Sequence, residues 1–124
     1  MNAIRIAGSQ STPEIHCNPE SGTVLLQGDS YPENSYELYQ PVIEWIETWL
    51  ALHQHLHLEL RLVYMNTSSV KAMMDIFDML EAAHQKGQHV SADWFYDRRN
   101  ERVAEMADEF REDCTFTFQI IPDA

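Results

Sequence analysis

Basic residues are scarce. Eight Lys and Arg stand against 20 Asp and Glu, a formal net charge of −12, and so acidic a surface repels a phosphate backbone. DNA or RNA binding would need a local basic patch, and the longest on offer is Arg98-Arg99. Nucleic acid is therefore not an expected partner. Long apolar runs are also missing. None approaches the ~18–20 residues of a membrane span, and the opening MNAIRIAGSQSTPE has no apolar signal-peptide core. Both absences point to a cytoplasmic protein with no direct membrane insertion. The two cysteines, Cys17 and Cys114, lie far apart and outside any C-x-x-C motif, so reduced thiols packed as small hydrophobes are expected. No Gly-rich phosphate loop, Ser-His-Asp set or catalytic cysteine setting marks the chain as an enzyme.

What remains is ordinary for a folded domain: 44% hydrophobic and 23% charged residues over 124 positions. One domain, 1–124, is long enough to bury a core without disulfides or metals. Glu14–Cys17 and Thr23–Gln27 flank a turn-rich link ending in Gly22 and read as a β-hairpin. Gly28–Ser35 reads as a polar loop. Asn34 and Glu37 have capping-box spacing, but Pro41 fits a first helical turn, which moves the expected helix start to Pro41. Leu56–Met65 alternates with period two, placing Leu56, Leu58, Leu60, Leu62 and Tyr64 on one face of a strand. Val70–Gln85 returns to helical spacing and stops at Lys86-Gly87. A strand over His89–Tyr96, a helix within Glu101–Asp113 and a strand over Cys114–Ile121, ended by Pro122, complete the order.

Strands alternating with helices define an α/β domain: a mixed sheet with an N-terminal hairpin, then parallel βα units. Loops leaving parallel strands share one edge of the sheet, where ligands gather. Three polar loops qualify: Gly28–Ser35, Asn66–Ser69 and Asp97–Asn100. The middle one is the richest. A strand runs into Asn66-Thr67-Ser68-Ser69 and a helix follows at once, so three hydroxyls sit where one cap would suffice. Two readings fit, an over-supplied helix cap or a phosphorylation switch. A phosphate here would add about −1.5 to −2 charges at a helix N-terminus, with Lys71 one turn along.

GDSYPENSYELY, YMNTSSVKAMMDIFDMLEAAH and YDRRNERVAEMADEFREDC, together with STPEI near the N-terminus, resemble the SiaC family of bacterial regulatory phosphoproteins across nearly the whole chain. The resemblance implies a STAS-like fold with helices mainly on one face, and a non-enzymatic partner-switching role. It places the phosphoacceptor on Thr67, the threonine opening the T-S-S motif, with Ser68 as a possible secondary acceptor. It also implies three partners: a SiaB-type kinase, a metal-dependent SiaA-type phosphatase, and a SiaD-type diguanylate cyclase. The unphosphorylated form would activate that cyclase, promoting cyclic-di-GMP signalling and biofilm formation. The expected partner contacts are Asp29, Tyr31, Glu33 and Asn34 on the first loop. Asn66, Ser68, Ser69, Lys71 and Met74 follow at the junction, with Arg98 and Arg99 on the third loop.

Two rival chemistries come from the residues alone. Asp29 and Asp97, at strand ends, would suit a receiver-like or magnesium-dependent phosphoryl-transfer site. His53, His55 and His57 alternate as metal ligands on one strand face would, but the spacing straddles a loop-to-strand boundary with no Cys or carboxylate to complete it, so solvated polar residues are the favoured reading and no metal is expected. Arg98-Arg99 either pairs with a phosphate on Thr67 or opens a solvated helix.

Overall fold

The computed structural model describes residues 1–123, which form six strands and three helices. In chain order these are β1 (Ile4–Ile6), β2 (Glu14–Asn18), β3 (Thr23–Ser30), α1 (Ser35–Leu52), β4 (His55–Met65), α2 (Thr67–Gln85), β5 (His89–Asp97), α3 (Glu101–Arg111) and β6 (Thr117–Asp123). The sheet is laid down in the order of the sequence, β1-β2-β3-β4-β5-β6. The first three strands are antiparallel and β3 through β6 are parallel. Because each parallel strand is added on the same side of the last, right-handed crossovers put every helix on the same face.

That face holds the core. Leu56, Leu58, Leu60 and Leu62 of β4 point into it, beside Val24 and Leu26 of β3 and Val90, Ala92 and Trp94 of β5. Each buried leucine contributes about 2 kcal/mol. Tyr39, Ile46 and Trp49 of α1, Met73, Ile76, Phe77 and Leu80 of α2, and Val103 and Ala107 of α3 close over them. The opposite face carries polar side chains bonded to one another. His57 Nδ1 lies 2.7 Å from Ser91 Oγ, and Arg61 donates to Glu59 at 3.1 Å while its guanidinium stacks on Phe95.

Four details differ from the sequence expectation. β3 continues to Ser30, so Asp29 belongs to a strand end rather than a loop. Its pairing with β4 shifts register between Gly28 and Ser30. The same irregularity flips the alternation of β4: Met65 turns inward and Tyr64 outward. α1 starts at Ser35, not Pro41, because Asn34 Oδ1 accepts the Glu37 N–H at 3.0 Å and fixes the first turn. Pro41 lies inside the helix on its exposed side, where it forfeits one backbone bond while Tyr39, Val42, Trp45 and Trp49 bury the other face. Finally, Pro122 lies within β6 rather than ending it. β6 is a sheet edge, paired with β5 on one side only, the position in a sheet where proline is tolerated.

The far end of α2 is tied to the approach to β6 by one carboxylate. Glu81 accepts from the Thr115 hydroxyl at 2.6 Å, the Thr115 N–H at 2.7 Å and Gln85 at 2.8 Å. These bonds, the Thr115 hydroxyl foremost, hold its carboxyl down from 4.5 to about 2. A depressed carboxylate stabilises the fold above its unfolded value and loses that stabilisation as pH falls through its folded value. Urea midpoints of wild type should therefore drop between pH 4.5 and about 2 more steeply than those of Glu81→Gln. Parallel curves would show that the carboxylate contributes nothing.

Candidate functional site

The strand-to-helix junction after β4 is built by Asn66. Its backbone is extended, and its Oδ1 accepts the Ser69 N–H at 2.9 Å, making it the N-cap of α2. The hydroxyls are thus not needed as caps, contrary to the simplest reading of the sequence. Thr67, Ser68 and Ser69 occupy the first three helical positions. The first N–H groups of a helix lack internal partners and carry its positive end, and no acidic residue stands in this first turn.

The three hydroxyls have different fates. Ser69 is buried, with its Oγ 2.8 Å from Ser30 Oγ and 3.2 Å from Ser35 Oγ. Ser68 is exposed, yet its Oγ lies 2.7 Å from Ser35 Oγ and 3.3 Å from Asn66 Oδ1. Thr67 is exposed and takes no part in this network. Ser30 Oγ in turn lies 2.7 Å from the Tyr39 hydroxyl, and burial pushes that phenol upward, keeping it a neutral donor. The chain of hydroxyls Tyr39, Ser30, Ser69, Ser35 and Ser68 therefore laces the end of β3, the start of α1 and the start of α2 together. Ser30, Ser35 and Tyr39 were not singled out from the sequence. The one available signal was the i, i+4 spacing of Ser35 and Tyr39, which puts both on one side of α1.

An apolar surface surrounds this junction. Among the described residues seven large hydrophobic side chains are exposed, and five belong to this end of the molecule, so the clustering is local rather than general. Tyr31 and Tyr64 meet edge to face at 5.8 Å, beside Val63. Tyr36 lines a groove of about 240 Å³ between α1 and α2, with Tyr39, Ile43, Ser68 and Lys71. Met74, half exposed and two turns beyond Thr67, lines a second groove of about 270 Å³ between α2 and α3, with Val70, Phe77, Met106 and Phe110.

Other expected contacts have specific duties. Asn34 caps α1, Asp29 Oδ1 accepts the Tyr64 N–H at 3.2 Å, and Glu33 is exposed on the connecting loop. Lys71 pairs with Asp75 at 3.7 Å, pointing along α2. Arg98 and Arg99 share the sheet edge with Thr67 but bond elsewhere. Arg99 holds Asp97 at 2.8 Å, and Arg98 donates to the Asp123 carbonyl. Arg99, Asp97 and Asp123 line a separate cleft of about 730 Å³ with Arg61 and Phe95. The Arg99 side chain keeps the Asp97 carboxyl at about 2.

The rival chemistries are not assembled. Asp29 and Asp97 end β3 and β5 with β4 between them, roughly 10 Å across two strand spacings. His53 lies outside β4 as the C-cap of α1 and stacks on Trp49 at 3.6 Å, His55 meets the same indole edge-on, and His57 bonds Ser91. Among the described residues no three His, Cys, Asp or Glu side chains converge as metal ligands.

The fold is a mixed α/β domain with six strands and three helices, and the turn that opens α2 presents an exposed hydroxyl within an apolar surface. The family model for the SiaC family regulatory phosphoprotein matches residues 6–123. The chain belongs to the SiaC family. It superposes on apo-SiaC from Pseudomonas aeruginosa with a TM-score of 0.94 and 59% identity, covering 98% of this chain and 99% of that one. It also matches a chain in the structure of diguanylate cyclase SiaD in complex with its activator SiaC from Pseudomonas aeruginosa. There the TM-score is 0.95 and the identity 60%, over 97% and 99% of the two chains. An uncharacterized protein of Pseudomonas aeruginosa strain UCBPP-PA14 is 61% identical over 121 residues, 97% of this chain and 96% of that protein. Among the described residues no helix is long and apolar enough to cross a membrane.

Proposed function

We propose that this protein is a cytoplasmic, non-enzymatic partner switch. Unphosphorylated, it binds and activates a SiaD-type diguanylate cyclase. A SiaB-type kinase phosphorylates Thr67 and blocks that contact, and a metal-dependent SiaA-type phosphatase restores it. The observation that carries this reading is the state of Thr67: exposed at the first position of α2, with its hydroxyl outside the network that engages Ser68 and Ser69. The SiaD–SiaC complex of a 60% identical relative supports the choice of partner.

The physics of the switch is asymmetric. On this protein a phosphate at the N-terminus of α2 is tolerated, since unpaired N–H groups and the helix dipole favour negative charge there. On a docked partner the same dianion replaces apolar contact with a charge that must be desolvated. The fold survives and the complex does not.

Peptide mapping after incubation with the kinase and ATP should place one phosphate on Thr67, and Thr67→Ala should remove it. Labelling that survives Thr67→Ala and disappears in Asp29→Asn or Asp97→Asn would instead establish a receiver-like site.

A further inference from the structure

Two hydroxyls of the first turn of α2 are exposed, Thr67 and Ser68. Exposure alone does not choose between them; hydrogen bonding does. Asn66 Oδ1 is an acceptor, already holding the Ser69 N–H, so Ser68 must donate its proton to it. Ser68 then accepts from Ser35, Ser35 from Ser69, Ser69 from Ser30, and Ser30 from Tyr39. Run in this direction, each serine of the chain donates once and accepts once. The chain starts on a phenol and ends on an amide oxygen. Ser35, itself buried, is the link that reaches Ser68 from the opposite element.

We propose that Ser35 is a specificity-determining residue that directs phosphorylation to Thr67 by keeping the Ser68 hydroxyl engaged. This rests on the reading of Thr67 as phosphoacceptor. In the transfer, a bond forms between the acceptor oxygen and the γ-phosphorus of ATP, and the bond from that phosphorus to ADP breaks. The hydroxyl proton passes to a base on the kinase. Thr67 meets these requirements as it stands, with its proton and lone pairs free. Ser68 has its proton committed to Asn66 and a lone pair occupied by Ser35, and its oxygen is drawn toward α1. Without Ser35, Ser68 loses the shorter of its two bonds, the one that draws its oxygen toward α1, and keeps only the 3.3 Å bond to Asn66, one residue along the same exposed turn.

The test is site-resolved phosphate mapping with the kinase and ATP, on folded protein verified by circular dichroism. Thr67→Ser should be labelled at position 67, which shows that the kinase accepts a serine hydroxyl. Thr67→Ala alone should remain unlabelled. Thr67→Ala with Ser35→Ala should acquire phosphate on Ser68 at a rate at least about tenfold above the detection limit against which Thr67→Ala alone is blank, the change expected from releasing one hydrogen bond. Thr67→Ala with Ser35→Cys, which keeps the side-chain volume but bonds weakly, should move the same way and serves if the alanine pair is unstable. Ser68 labelling with Ser35 intact, or a folded double variant still blank while Thr67→Ser is labelled, would overturn the role of Ser35. So would a blank Thr67→Ser, because residue type would then set the choice. A wild type unlabelled at Thr67 would instead remove the phosphoacceptor reading beneath it.

Discussion

Thr67→Asp is expected to leave the protein folded, with a Tm equal to or above that of wild type, and to weaken binding to the diguanylate cyclase by about 100-fold or more. The two halves have opposite signs for one reason. A carboxylate at the first position of α2 faces unpaired N–H groups and the positive end of the helix, which favours the fold by about 0.3–1 kcal/mol. The same charge at the centre of a docking face must be stripped of water without a partner, and an unpaired interfacial charge costs about 2–5 kcal/mol. At about 1.4 kcal/mol per decade, about 100-fold is about 2.8 kcal/mol, in the lower half of that range. Thr67→Val, close in shape and neutral, should bind nearly as wild type. Calorimetry of the three proteins against the cyclase separates charge from shape. Equal affinity for Thr67→Asp and Thr67→Val would mean that Thr67 lies outside the contact.

The second large effect is structural. Gly22→Ala should destabilise the protein by about 3 kcal/mol, or about 10 °C in Tm. Gly22 ends the hairpin turn at φ +72°, where a side chain is strained. A Cβ there would also stand 2.6 Å from Cζ2 of Trp49 and 2.9 Å from Nε2 of His55. Trp49 cannot retreat. It is buried and stacked between Trp45 and His53, and its Nε1 donates to the His55 carbonyl. Gly87 supplies the control, since it too has positive φ, +91°, but a Cβ there would meet nothing within 4 Å. Gly87→Ala should thus cost only the backbone term, about 1–2 kcal/mol. Equal losses at the two glycines, read from urea unfolding, would show that the Trp49 column yields.

Much of this was legible beforehand because the signals were local. The alternation of Leu56, Leu58, Leu60 and Leu62 and the Lys86-Gly87 stop each follow from neighbours in sequence, and each stands in the fold. Where the outcome differs, another interaction outweighed the residue's own preference. Pro41 was read as a helix start by its own preference, but the capping of Glu37 by Asn34 and the burial of the indoles outweighed one lost bond. Tyr64 was placed inward by strict alternation, and the register shift against β3 turned it out.

The candidate site divides the same way. T-S-S after a strand was visible as a surplus of hydroxyls, and the family resemblance named Thr67 among them. That Ser68 and Ser69 are engaged while Thr67 is not was not visible, because their partners are set by Ser30, Ser35 and Tyr39. Those residues meet Ser68 and Ser69 only once β3 lies parallel to β4 and α1 beside α2. Arg98 and Arg99 show the reverse. Sequence placed them at the correct edge, but their local carboxylate, Asp97, and the Asp123 carbonyl claim their side chains.

The most direct measurement is cyclase turnover with one added component, this protein, prepared either unmodified or stoichiometrically phosphorylated on Thr67. A switch at Thr67 predicts that the unmodified form raises the rate of cyclic-di-GMP formation in a saturable, dose-dependent way, and that the phosphorylated form leaves the basal rate unchanged over the same concentrations. Equal stimulation by the two forms would contradict it.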